Sequence, residues 1–236
     1  MNKRIFPFIL VSIMILLSIT ACSVGVTRTE TREISDVNAV SINTIGEFII
    51  RQGDEETLTI EGPNNILRNI TTEVVGGTLY IDSDRGVLSD SFAKVVYTLT
   101  VKNLNEISLS GAGSISVSSL DSTDLNVTLT GAGSITIRSL NTQNLSVLLN
   151  SAGSIDISGN AANQNVVLSG VGSYDGADLQ SQTAKIVMSG AGSAEVWVSD
   201  ALDIEVSGVG SVSYYGSPSV TQNISGLGSV NSKGEK

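Results

Sequence analysis

The amino-acid sequence predicts an all-β fold, a parallel β-helix or β-solenoid of repeats near 20 residues long. Three observations predict it. A Gly-x-Gly-Ser element returns seven times, apolar and polar residues alternate on both sides of each copy, and proline stays out of those flanks.

The copies are Ser110-Gly-Ala-Gly-Ser114, Thr130-Gly-Ala-Gly-Ser134, Asn150-Ser-Ala-Gly-Ser154, Ser169-Gly-Val-Gly-Ser173, Ser189-Gly-Ala-Gly-Ser193, Ser207-Gly-Val-Gly-Ser211 and Ser225-Gly-Leu-Gly-Ser229. Their second glycines are spaced by 20, 20, 19, 20, 18 and 18 residues. Before each copy stands an apolar residue, from Leu109 and Leu129 to Val206 and Ile224, and after it another, from Ile115 and Ile135 to Val212 and Val230. Positions two residues farther out, such as Ile107, Val127, Val117 and Ile137, repeat the choice. Period 2 is the signature of strands, so each copy brings two half-buried strands to a shared interior. A unit this short cannot bury its apolar face alone, and the copies must stack. At ~4.8 Å per strand, seven coils extend roughly 34 Å. Each buried aliphatic side chain is worth ~1.5–3 kcal/mol, which offsets the entropy of ordering the chain.

Glycine recurs where each coil turns tightly against its neighbour. Beyond the first 21 residues the only prolines, Pro63 and Pro218, lie outside the repeated strands. The element is not a nucleotide loop, because the third glycine and a following helical period are missing. It is not the calcium-binding nonapeptide either, since Ser stands where that repeat needs Asp.

Ahead of the repeats, strand-like pieces continue without the motif, among them Glu47-Phe-Ile-Ile-Arg51, Thr57-Leu-Thr-Ile60, Thr78-Leu-Tyr-Ile81 and Lys94–Val101. Turn signals separate them at Gly53, Gly62-Pro63 and Gly76-Gly77. This part is expected to cap the open end of the solenoid. Residues 233–236 form a short polar tail suited to blunting the last coil.

The start of the chain reads as an export address. Lys3-Arg4, apolar residues from Ile5 to Ile19 and Thr20-Ala21 before Cys22 describe a signal peptide, shorter than the ~18 apolar residues of a spanning helix. Ile19-Thr20-Ala21-Cys22 resembles the bacterial lipobox, which implies acylation of Cys22, the one cysteine of the chain. Two or more acyl chains hold a protein stably at a membrane. Ser23 after the cysteine resembles lipoproteins released from the inner membrane, so the expected location is the bacterial outer membrane, on its periplasmic or surface face. The expected organisation is a signal peptide at 1–21, a lipid-anchored tether at 22–37, a solenoid domain at 38–232 and the tail at 233–236. Within the domain, 38–105 is irregular and 106–232 carries the repeats.

Residues 38–232 resemble the bacterial family of putative auto-transporter adhesins with a head GIN domain. The resemblance rests on Gly46-Glu-Phe-Ile-Ile-Arg-Gln-Gly53, on Gly76-Gly-Thr-Leu-Tyr-Ile81 and on the Ser-Gly-Ala-Gly-Ser copies. It implies an exported, frequently lipidated β-helical protein and brings no catalytic residues.

Composition removes much chemistry. The chain has 236 residues, no histidine and a net charge of −10, or −12 without residues 1–21. Histidine-dependent catalysis and cysteine or histidine metal clusters are excluded, and the charge repels nucleic acid. No cofactor is expected.

Two outward columns are candidates for contact. One runs Ser116, Thr136, Asp156, Asp175, Glu195, Ser213, Asn231. Its three acids, Asp156, Asp175 and Glu195, read as a solvated stripe, with an oxygen-seeking cation such as Ca²⁺ as the weaker alternative. The other runs Ser118, Arg138, Ser158, Ala177, Trp197, Tyr215 and sets the lone tryptophan beside a tyrosine. That pair either packs under another segment or meets a glycan or an apolar protein patch. The acid pairs Asp175 with Asp178 and Asp203 with Glu205 carry no clustered base. Uniform coils leave no room for a walled cleft, so a non-catalytic adhesion or binding scaffold is favoured. A polysaccharide-binding or polysaccharide-cleaving β-helix is the alternative, and a passive structural role the third reading.

Overall fold

A computed structural model describes residues 27–83 and 94–236. The predicted signal segment, Cys22 and the first residues of the expected tether lie outside it.

From Glu106 onward the chain winds as a parallel β-solenoid. Strands β8 (Glu106–Leu109) and β9 (Ala112–Val117) begin it, followed by β10 (Leu120–Leu129), β11 (Ala132–Leu149), β12 (Ala152–Leu168), β13 (Val171–Met188) and β14 (Ala191–Val206). Strands β15 (Val209–Tyr215), β16 (Ser219–Ile224) and β17 (Leu227–Ser232) complete it. Each pairs in parallel with the coil before it, and the second motif glycines Gly113, Gly133, Gly153, Gly172, Gly192, Gly210 and Gly228 superimpose in register. Seven superimposed motifs bound six complete turns. The flanking apolar columns line the interior: Leu109, Ile115, Leu129, Ile135 and their successors are buried down to Val212.

Close backbone approach explains the glycines. A Cβ placed on Gly133 would lie 1.8 Å from the Gly113 carbonyl oxygen, and one on Gly192 1.9 Å from that of Gly172. No side chain fits there. Where Ser151 replaces the first glycine of its copy the stack is looser, since the same construction on Gly153 gives 2.3 Å to Gly133 O.

The segment expected to be irregular contains one more coil. Strands β2 (Ala39–Asn43) and β3 (Ile45–Gln52) lie parallel to β8 and β9, with Ile42 opposite Leu109, Gly46 opposite Gly113 and Phe48 opposite Ile115. Asn43-Thr44-Ile45-Gly46-Glu47 therefore occupies the place of Ser-Gly-Ala-Gly-Ser. Threonine is tolerated at the first glycine position because this coil faces a non-repetitive neighbour on that side, where Thr44 donates to Ser83 Oγ at 2.8 Å.

Beyond this coil the stack changes direction and closes. Strands β6 (Thr78–Ser83) and β7 (Val96–Val101) are still parallel to β2 and β3, but β5 (Ile70–Val75) and β4 (Thr57–Pro63) run antiparallel to them. The short helix α1 (Asn64–Leu67) joins β4 to β5 and buries Ile66 and Leu67 at this end of the core. Part of the expected tether is ordered as well: β1 (Thr27–Glu33) pairs antiparallel with β4. Arg32 fixes it, donating to Ile70 O at 2.9 Å and to Thr72 Oγ1 at 3.0 Å. The alternating Thr, Arg and Glu of β1 give the outer edge a charged face that discourages further strand pairing.

One buried polar chain interrupts the aliphatic interior. Tyr174 follows Ile155 in its column, and its ring finds space because Ala194 is next in that column and Gly176 faces it. Its hydroxyl donates to Gln164 Oε1 at 2.9 Å, Gln164 Nε2 donates to Ser181 Oγ at 2.8 Å, and Ser181 Oγ donates to Trp197 O at 2.8 Å. Burial holds the Tyr174 hydroxyl far above the usual phenol range, so it stays a donor.

Candidate functional site

The outward columns converge on one face of the later coils. Asp156, Asp175 and Glu195 are directly paired from coil to coil, followed by Ser213 and Asn231, as the spacing predicts. Partial loss of hydration raises the pKa of the Asp156 carboxyl, and the neighbouring charges of Asp175 and Asp178 raise it further, while Arg138 opposes them. The far end of the column is neutralised: Lys233 donates to Glu195 at 2.7 Å. That hydrogen bond raises the Lys233 ammonium pKa. Among the described residues no cluster of three acids is arranged to hold a metal ion.

Trp197 stands between the buried Val196 and Val198, which forces its side chain outward. It is paired in register with Tyr215 of the next coil, so the two aromatics are neighbours. The step before it in the column does not hold. Trp197 lies opposite Gln180, not Ala177, because the register shifts between Gly176 and Gln180 where a 20-residue coil meets an 18-residue one.

The tail covers this pair. Lys233 N–H donates to Tyr214 O at 2.8 Å and Gly216 N–H donates to Gly234 O at 2.9 Å, continuing the ladder beyond β17. Lys236 crosses both rings, its Nζ 5.0 Å from the Tyr215 centroid and 5.7 Å from the Trp197 centroid. The tail lysines carried no functional weight in the sequence. Their Lys-x-x-Lys spacing is the one signal that pointed to two neighbouring anchors.

The acid pairs do have basic neighbours, which corrects the expectation that none clusters with them. Lys185 lies opposite Asp203, 3.6 Å from it and 2.8 Å from Glu205, and Lys236 is paired with Asp178. Coil stacking brings together residues about 20 positions apart, a proximity that linear scanning hides. The hydrogen bond that Lys185 donates to Glu205 raises its pKa, so it stays protonated and is a poor base at neutral pH. One hollow crosses successive coils and is lined by groups such as Asn141, Thr142, Gln180 and Ser181.

A uniform parallel solenoid with side chains displayed in outward columns belongs to the class of surface-presenting β-helical proteins. The family profile described as "Putative auto-transporter adhesin, head GIN domain" matches residues 36–218, and the chain belongs to that family. It is similar to a putative adhesin from Bacteroides fragilis, at 27% identity and a TM-score of 0.84, over 87% of this chain and 96% of the other. It is also similar in fold to a putative lipid binding protein from Parabacteroides distasonis, at 23% identity and a TM-score of 0.69, over 87% and 96%. A putative adhesin from the same organism shares the fold at 20% identity and a TM-score of 0.65, over 88% and 97%. No curated protein matches the chain. Membership of an adhesin family supports a binding role associated with the cell surface or envelope.

Proposed function

We propose that the protein is an exported, lipid-anchored component of the bacterial cell envelope that acts as a non-catalytic adhesion scaffold. Cys22 carries the lipid, with the protein held at the outer membrane, and Trp197 and Tyr215, once residues 233–236 withdraw from them, supply the contact to a glycan or protein ligand. The observation that supports this reading is the pairing of the outward Trp197 with Tyr215 on adjacent coils. Aromatic faces give large contact area at low entropic cost. Catalysis is disfavoured because Lys185, between Asp203 and Glu205, is held protonated on an open face.

Labelled palmitate fed to cells is expected to enter the native protein and not the Cys22→Ser variant. Protease applied to intact cells then separates the two faces, with cleavage expected for surface display and protection for a periplasmic position. Unlabelled native protein removes the anchor. Sugar released from a polysaccharide by the purified protein removes the non-catalytic assignment.

A further inference from the structure

The groups that meet over the aromatic pair favour one chemistry. Lys236 donates to Ala177 O at 2.6 Å and to the Asp178 carboxylate while lying over both rings. Lys233 donates to Glu195 and lies 5.5 Å from the Tyr215 centroid. Two ring faces, two carboxylates and a carbonyl oxygen thus converge on two ammonium positions. Ring quadrupoles and oxygen acceptors attract cations, whereas a neutral sugar would leave the carboxylates uncompensated. The resident lysines sit three residues apart on a segment whose backbone turns at Gly234, φ +83°, and is bonded to Tyr214 and Gly216. Main-chain bonds to a strand edge give a peptide affinity, and the seats that its side chains enter give specificity.

We propose that Ala177, Asp178, Glu195, Trp197 and Tyr215 form a seat for the lysine side chains of a partner polypeptide. Residues 233–236 occupy this seat from within the chain until such a partner displaces them. The proposal rests on the reading of Trp197 and Tyr215 as contact residues and names the chemistry they meet. Displacement is feasible because the ion pairs that hold the tail are open to solvent, Asp178 being 72% exposed.

Trp197 is the only tryptophan of the chain, so its fluorescence reports the seat directly. The native protein and the double variant K233A/K236A are titrated with the capped peptide acetyl-Lys-Gly-Glu-Lys-amide, with the same peptide acetylated on both lysines, and with cadaverine. The variant emission is expected to differ from native and to return to it with the lysine peptide, half-maximally in the ~millimolar range that a short tether supplies as effective concentration. The acetylated peptide is expected to need at least about tenfold more, because it has lost the cation. Asp178→Asn in the variant background is expected to weaken the response to the lysine peptide. An unchanged emission in K233A/K236A, or equal responses to the two peptides, overturns the seat. Cadaverine acting as well as the lysine peptide overturns the polypeptide partner and leaves only an ammonium site. If Trp197→Ala abolishes retention on a ligand surface while the lysine peptide does not compete there, this inference falls and the adhesion reading stands. If the lysine peptide restores emission but the native protein is retained on no surface, the seat stands and the adhesion reading falls.

Discussion

The carbonyl oxygen of Gly46 faces Gly113 so closely that a Cβ on Gly113 would lie 2.0 Å from it. The contact is the first in a file repeated coil by coil, and it shows that the turn is set by the neighbouring backbone rather than by local preference alone. Gly133→Ala, at φ +153° with 1.8 Å to Gly113 O, is expected to cost about 3 kcal/mol or more, because the clash is with backbone that cannot swing aside. Gly76→Ala, at φ +58° with open space around it, is expected to cost only about 1–2 kcal/mol of backbone strain. Urea midpoints at constant m check the difference, and equal costs would refute it.

The Tyr174–Gln164–Ser181 chain predicts a coupled loss. Tyr174→Phe removes the donor to a buried amide oxygen and is expected to destabilise by about 1–3 kcal/mol. Adding Gln164→Leu removes the orphaned acceptor, so the double variant is expected to lose less than the sum of the single variants. Additive losses in thermal unfolding would show that the chain contributes nothing as a unit.

Asp156 gives a pH dependence of definite sign. Its carboxyl pKa is raised in the folded chain, so the ionised form is disfavoured there. The resulting penalty is present above the folded pKa and disappears as pH falls through it toward the ordinary carboxylate range. Asp156→Asn is therefore expected to raise the Tm at pH 7, by the equivalent of a few tenths of a kcal/mol at this exposed site, and to leave it unchanged in acid. Millimolar Ca²⁺ is expected to leave the native Tm where it was. A rise with Ca²⁺ would restore the cation reading of the acidic column.

Arg32 predicts local opening at the cap. Arg32→Ala removes its donors to Ile70 O and Thr72 Oγ1 and is expected to speed amide exchange in β1 and β4 by about tenfold or more, while β11 to β13 keep their protection. Uniform acceleration along the chain would contradict a separable cap.

Much of this architecture was legible in the sequence because one physical constraint, glycine against backbone, is imposed at every turn and so repeats. The coil of β2 and β3 was hidden because its neighbour on one side is not a repeat, so Thr44 and Glu47 replace residues that the stack demands elsewhere. The acidic column could be read by counting, since no register shift falls between Asp156, Asp175 and Glu195. The Ala177–Trp197 step failed for the opposite reason: the coil shortens between them, and the register shifts between Gly176 and Gln180. The contacts of Lys185 and of the tail lysines needed coordinates, since they join coils rather than neighbours in sequence.

Retention of the purified native protein and of Trp197→Ala on an array of glycans and matrix proteins bears most directly on the central claim. Specific retention of the native protein, reduced at least about tenfold by the substitution, is the predicted result. Equal retention of both proteins would remove the aromatic pair from the contact and contradict the account.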